Sequence, residues 1–243
     1  ATAIAGPSDD SAEAQNPFSR ALRAFLAVRS RYAEDQLARA VERGVRQYVV
    51  LGAGLDTFAY RNPYPELHVF EVDHPATQEW KRTRLEEARI AIPLDMTFAP
   101  VDFERESLED GLCRTAFDRK RPAFFSWLGV TPYLSRPAFD ATIALIAQMP
   151  AGSGVAFDYA IERRLLTPAQ QIALDAMASR VARAGEPFQL FFDPAALSRE
   201  LQQLGFGDIE NLSGDAINAR YFAGRADGLA VGGAGRLLSA WVK

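Results

Sequence analysis

The sequence predicts a doubly wound α/β fold, in which helices cover both faces of a mostly parallel sheet. Seven short apolar runs of strand length recur along the 243 residues, and segments with helical periodicity separate several of them. The runs are apolar at most positions, which is typical of parallel strands buried on both sides. Alternation of such strands with helices indicates an α/β sheet.

The amino-terminal part of the chain divides into a polar tail and a helical cover. Residues 1–16 are small, polar and acidic, and this composition predicts a flexible tail. Apolar residues at roughly helical spacing in residues 17–45 predict two amphipathic helices that cover the sheet. Residues 46–243 form the α/β core, so we expect a single domain over residues 17–243.

The strands and helices of the core can be placed in order along the chain. Strands are predicted at residues 46–54, 67–73, 96–102, 123–130, 154–159, 208–212 and 236–242. Helices are predicted at residues 75–85, 137–148, 168–184 and 194–204. The last two begin with Thr167-Pro168 and Asp193-Pro194, where a capping side chain precedes proline at the first helical position.

Three of the strand ends carry residues suited to binding a nucleoside. Gly52-Ala53-Gly54 ends the first strand and lets a ligand approach the backbone closely. Asp73 ends the second strand, at the spacing where an acidic residue binds ribose hydroxyls. Asp102 ends the third as an acceptor for an adenine amino group, with Phe103 as an apolar wall. In parallel sheets ligands bind beyond these carboxyl ends, although a tight turn explains the glycine pair equally well.

The residues after the glycine pair disfavour a phosphate-bearing cofactor. A dinucleotide site has a third glycine three residues after the second, and this chain has Thr57 there. Asp56 adds negative charge where phosphates would lie. A cofactor with a positively charged sulfonium and ammonium, such as S-adenosylmethionine, suits this turn better. A nicotinamide-dependent oxidoreductase remains the alternative.

Composition excludes several other classes of function. A net charge of −4 and a pI near 5.4 provide no basic field for nucleic acid. No apolar stretch is long enough to cross a bilayer and residues 1–16 do not resemble a secretory signal, so we expect a cytoplasmic protein without a membrane partner. The single cysteine, Cys113, and the two histidines, His68 and His74, form no metal-ligand pattern. A homodimer is compatible with the sequence.

Several motifs in order resemble the leucine carboxyl methyltransferase-like family in its smaller bacterial form. The resemblance extends from about Arg23 to the carboxyl terminus. Its motifs are residues 29–35 (RSRYAED), 50–57 (VLGAGLDT), 59–61 (AYR), 70–75 (FEVDHP), 101–103 (VDF), 156–159 (AFDY), 185–188 (GEPF) and 219–222 (ARYF). The family implies a seven-stranded methyltransferase sheet whose last strand is antiparallel, and S-adenosylmethionine as cofactor.

The resemblance also implies roles for individual residues. Arg29 would hold the carboxylate of the cofactor's methionine part, and Gly52 with its neighbours would line the same end. Asp73 would bind the ribose, and Asp102 with Phe103 would frame the adenine. Leu128 stands where the family commonly has a glutamate that helps to hold the cofactor. A non-catalytic binding module that keeps the fold is therefore a further alternative.

The methyl acceptor is expected to be a small molecule that carries a carboxylate. A carboxyl group is ionised at neutral pH and needs no general base, which agrees with the lack of an obvious catalytic histidine. An alcohol or phenol acceptor would need a base, and His74 is the candidate, with adenosine packing as its other role. The candidate acceptor-site residues are Tyr133, Tyr159 and Tyr221, with Arg220 as a carboxylate clamp.

Overall fold

A computed structural model of the chain describes residues 17–102, 105–183 and 185–243. Its centre is a sheet of seven strands: β1 Gln47–Leu51, β2 His68–Asp73, β3 Met96–Pro100, β4 Phe124–Trp127, β5 Gly154–Ala160, β6 Phe206–Leu212 and β7 Gly235–Val242. The strand order is β3-β2-β1-β4-β5-β7-β6. All neighbours pair in parallel except β7, which is antiparallel to both β5 and β6. The predicted seven-stranded sheet with an antiparallel last strand is confirmed.

Helices precede and connect the strands. They are α1 Pro17–Glu42, α2 Pro75–Glu87, α3 Leu108–Cys113, α4 Arg136–Ala147, α5 Pro168–Arg183, α6 Pro194–Gln203 and α7 Gly214–Ile217. The predicted starts of α5 and α6 are confirmed, because the Thr167 hydroxyl and the Asp193 carboxylate accept hydrogen bonds from the first backbone N–H groups of these helices. No helix in the described ranges is both long and apolar enough to cross a membrane.

The helical cover is one continuous helix, so the prediction of two helices over residues 17–45 was wrong. No glycine or proline interrupts residues 18–42, and α1 continues through them because each residue can keep its backbone hydrogen bond. The helix ends at Glu42, and Gly44 just beyond it has a φ of +91°, the left-handed conformation typical of the residues that follow a helix. The preceding residues 1–16, predicted as a flexible tail, lie outside the described residues.

Apolar clusters lie on both faces of the sheet. The face covered by α1 includes Tyr32 and Leu37 of that helix, packed with strand residues such as Val50. The opposite face is covered by α4 and α6, with Ile143 and Leu197 in its cluster. Burial on both faces explains why the strand sequences are nearly continuous apolar runs. Because β1 to β5 are parallel, their carboxyl ends lie at one common edge, where ligands bind in sheets of this kind.

Candidate functional site

The glycine turn after β1 is joined to the tip of β2 by Asp73. Its half-buried carboxylate accepts hydrogen bonds from the backbone N–H of Gly54 at 2.5 Å and of His74 at 2.7 Å. Gly54 has a φ of +47°, and a Cβ built there would meet nothing nearer than the Gly52 carbonyl oxygen at 4.0 Å. The Asp73 carboxylate thus lies beside a glycine with open space next to it.

Asp102 lies on the same edge, one strand further out. The N–H of Val101 donates to the Asp73 carbonyl at 2.9 Å, which places the end of β3 against the end of β2. The Asp102 carboxylate is 3.9 Å from His74 Nε2 and 3.4 Å from Arg105 Nε. The structure therefore brings Asp73, His74 and Asp102 together, as expected of an adenosine site. Phe103 lies outside the described residues.

His74 has a defined local role at this edge. It is the N-cap of α2, and its Nδ1 accepts a hydrogen bond from the Ala76 N–H at 3.2 Å. Nδ1 is therefore the unprotonated ring nitrogen in this contact, and Nε2 faces Asp102. The other histidine, His68, begins β2 at the opposite end of the strand and pairs with Thr97 at 2.8 Å.

An arginine and a buried aspartate meet at the other end of the edge. Asp158 of β5 has 6% of its side chain exposed, and its carboxylate accepts a hydrogen bond from the Gly129 N–H at 2.6 Å. Its second oxygen lies 3.4 Å from Nη1 of Arg29, on α1. Burial raises the pKa of Asp158, and the Arg29 charge opposes that rise.

Gly129 is the surface on which the Arg29 guanidinium lies. A Cβ at Gly129 would be 2.6 Å from both terminal nitrogens of Arg29, and the residue has a φ of +73°. The positive φ favours glycine here, and any side chain at this position would displace the Arg29 guanidinium. The next residue, Val130, contacts the glycine turn, because a Cβ at Gly52 would lie 2.3 Å from its Cγ2.

These contacts form a continuous line of functional groups along the sheet edge. It runs from Asp158 and Arg29, past the turns after β4 and β1, to Asp73 and Asp102. The sequence predicted Arg29, Asp73 and Asp102 of this line as site residues, but not Gly129, Val130 or Asp158. Asp158 was missed, although an acidic residue inside the apolar run of β5 was a signal of a special role.

The remaining predicted cofactor residues of the glycine turn and β4 are structurally engaged. Ala53 is buried, and its N–H donates to the Val72 carbonyl at 3.1 Å. The Asp56 carboxylate accepts from the Phe58 N–H at 2.7 Å, so its charge lies within the turn itself. Leu128 is partly buried and packs against the cluster on the α1 face.

A buried ion pair supports the glycine turn from below and was not predicted. Lys81 of α2 donates to Glu71 of β2 at 2.6 Å and to the Asp56 carbonyl oxygen at 2.7 Å. Both side chains are almost completely buried. Burial raises the pKa of Glu71 to about 7, although Lys81 opposes this rise. The pair thus links the position of the turn to the sheet.

The four predicted acceptor-site residues are not brought together. Tyr133 lies four residues after Gly129, in the segment that follows β4. It is half-buried, and its ring centroid lies 5.2 Å from that of Phe188. Tyr159 is buried in the core on the face opposite Asp158, where its hydroxyl donates to Asn211 at 2.9 Å. Burial also raises its pKa to about 12, so it is protonated at neutral pH.

The other two acceptor candidates lie near α1 and β6. The Tyr221 hydroxyl donates to Asp35 at 3.0 Å. The exposed Arg220 forms a bidentate ion pair with Glu210, in which Nη1 and Nη2 donate to the two carboxylate oxygens at 2.9 and 2.6 Å. Both side chains already bind carboxylates of the protein, so each would have to break that interaction to bind an acceptor.

Residues 3–147 match the family model described as leucine carboxyl methyltransferase. The chain belongs to the leucine carboxyl methyltransferase family. It is 38% identical over 205 residues to a Bacillus subtilis protein with the provisional name S-adenosyl-L-methionine-dependent methyltransferase YktD, covering 83% of this chain and 67% of YktD. A Mycobacterium ulcerans protein with the same provisional function is 37% identical over 52% of this chain and 41% of its own length.

Solved structures of low sequence identity share the fold. A DUF574 family protein from Streptomyces avermitilis has a TM-score of 0.64 at 19% identity, over 98% of this chain and 94% of its own. A magnesium protoporphyrin IX methyltransferase from Synechocystis, solved with bound SAH, has a TM-score of 0.53 at 13% identity, over 95% and 96% of the two chains. The predicted family and the Rossmann-like methyltransferase fold are confirmed.

Proposed function

We propose that this chain is an S-adenosylmethionine-dependent O-methyltransferase that forms a methyl ester on the carboxylate of a small molecule. Family membership and the provisional name of YktD support the cofactor and the methyl transfer. When bound, the cofactor supplies a methyl group activated by its sulfonium. The contribution of the chain is to hold the acceptor oxygen in line with that methyl group and to exclude water.

The residues along the sheet edge suit the parts of this cofactor. In this proposal Asp73 binds the ribose hydroxyls and Asp102 accepts from the adenine amino group. Arg29 binds the carboxylate of the methionine part, and Gly54 leaves room for the ligand beside the backbone. Gly52 lies between these two ends of the site.

The placement of the two histidines carries the argument for a carboxylate acceptor. His68 lies at the amino end of β2, away from the site, and His74 uses Nδ1 to cap α2. Neither is positioned as a general base for an alcohol or phenol. A carboxylate with a pKa of about 4 is already ionised at neutral pH and needs none.

Tyr133 and Phe188 form the proposed acceptor wall. Their rings pack together next to the Gly129 turn, and the Gln189 amide donates to the Tyr133 carbonyl at 2.9 Å. This contact attaches the segment before α6 to the end of β4. Aromatic side chains at this position can desolvate an acceptor and orient its apolar body.

Methyl-labelled S-adenosylmethionine tests the proposal with matched pairs of acceptors, such as benzoate with benzyl alcohol and hexanoate with hexanol. We expect labelled products from the acids and none from the alcohols. Mild alkali should release the label as methanol, because the methyl group is in an ester. A carboxylate acceptor is fully ionised between pH 6 and 9, so its ionisation should cause no change in kcat/KM over this range. Label that survives alkali would refute ester formation, and cofactor binding without any product would favour the non-catalytic module.

A further inference from the structure

We propose that Asp158 is a positioning residue, which aligns Arg29 and the Gly129 turn for the methionine end of the cofactor. This inference rests on the proposed cofactor site. Asp158 lies in β5, a strand whose seven residues are all buried. An ionised carboxylate is costly in such surroundings unless charges or donors compensate for lost water. The Gly129 N–H and the Arg29 guanidinium provide this compensation.

The two carboxylate oxygens of Asp158 have separate tasks. One fixes the turn after β4 through the 2.6 Å bond to the Gly129 N–H, and the other faces Nη1 of Arg29. The guanidinium is thereby held between a carboxylate at its edge and the backbone of Gly129. A Cβ at Gly129 would push the guanidinium away from this position. Asp158 thus determines both the orientation of Arg29 and the surface beneath it.

Arg29 keeps the capacity to bind an anion in this arrangement. Its side chain is 23% exposed, and within the described residues its ion pair with Asp158 uses Nη1 alone. A guanidinium presents five donors in a planar fork, so the others can pair with a ligand carboxylate. Val130, which follows Gly129, contacts Gly52, so the Arg29 guanidinium on Gly129 lies next to the glycine turn.

The test compares two ligands that differ at the methionine end. S-adenosylhomocysteine has the amino acid carboxylate, whereas 5′-methylthioadenosine shares the adenosine and thioether and lacks it. Asp158→Asn preserves the shape of the side chain and an oxygen for Gly129, but removes the charge that faces Arg29. We expect calorimetry to show about 10-fold weaker binding of S-adenosylhomocysteine, equivalent to about 1.4 kcal/mol, and unchanged binding of 5′-methylthioadenosine.

A double-mutant cycle with Arg29→Met tests whether Asp158 acts through Arg29. If it does, Arg29→Met and the double variant should bind S-adenosylhomocysteine equally weakly. Their comparison also keeps the inference testable if Asp158→Asn alone does not fold. The matched control is Asp140→Asn on the exposed side of α4, where Asp140 pairs with Arg136; it should bind both ligands like the original chain.

Each result has a defined meaning. Equal loss of both ligands in Asp158→Asn would show a general structural role and overturn the inference, as would unchanged binding of both. A double variant that binds S-adenosylhomocysteine clearly more weakly than Arg29→Met would show that Asp158 acts independently of Arg29. If the unaltered chain binds neither ligand, the proposed cofactor site itself fails, which is distinct from these outcomes.

Discussion

Replacement of Lys81 by methionine should destabilise the fold strongly at pH 8.5 and weakly at pH 5.5. Methionine fills a similar volume but removes the charge that faces Glu71 and the donor to the Asp56 carbonyl. At pH 8.5 the variant must either keep Glu71 ionised without its counter-charge or protonate it far above the ordinary pKa of a glutamate, and both cost free energy. At pH 5.5 the carboxyl group takes up a proton, and most of this cost disappears.

A lower bound on the cost of ionising Glu71 without Lys81 comes from the unaltered chain, where burial raises the pKa of this group from 4.5 to about 7 although Lys81 opposes the rise. At about 1.4 kcal/mol per pKa unit, this rise means that ionisation of Glu71 costs the folded chain about 3 kcal/mol of stability. Because the pKa is higher in the folded chain, the contribution to stability is present in full below pH 4.5 and is lost as the pH rises through 7. Without Lys81 the pKa rises further, so the loss continues above pH 7.

Urea unfolding followed by tryptophan fluorescence measures this effect at both pH values. We expect a loss of about 3–5 kcal/mol at pH 8.5, as for other broken buried ion pairs, and about 1 kcal/mol at pH 5.5 for the lost hydrogen bond to Asp56. Lys120→Met is the matched control, because Lys120 is exposed. The Glu71→Gln, Lys81→Met double variant should recover part of the stability at pH 8.5. Equal destabilisation at the two pH values would refute the reasoning.

Three further predictions concern side chains outside the proposed cofactor site. Tyr159→Phe removes the hydrogen bond to Asn211 and should cost about 1 kcal/mol in urea unfolding, while calorimetry should show unchanged affinity for S-adenosylhomocysteine. Arg220→Ala breaks an exposed ion pair with Glu210 and should change the unfolding free energy by less than about 1 kcal/mol, whereas a raised KM for the acid would support a role as a clamp. Leu37→Ala should cost about 2–5 kcal/mol in the same unfolding assay, because the side chain is fully buried between α1 and the sheet.

The strands of the sheet and several residues at their ends were predictable from the amino-acid pattern. Buried parallel strands must be apolar along their length, so β1 to β5 were visible as short apolar runs, and the first three runs ended in a change to glycine or aspartate. Asp73 and Asp102 were predictable neighbours because they end successive strands that pair in parallel register. The continuity of α1 was misjudged, because irregular apolar spacing does not itself break a helix.

Contacts between residues far apart in the chain were not predictable before the fold was known. Asp158 and Tyr159 are adjacent in β5, and alternation along a strand sends them to opposite faces. Local periodicity does not reveal which face receives α1, yet this choice brings Asp158 to Arg29, 129 residues away, and leaves Tyr159 in the core. The pairing of β1 with β4 likewise places Gly52 against Val130. Strand order and face are global properties, set by the packing of the whole chain.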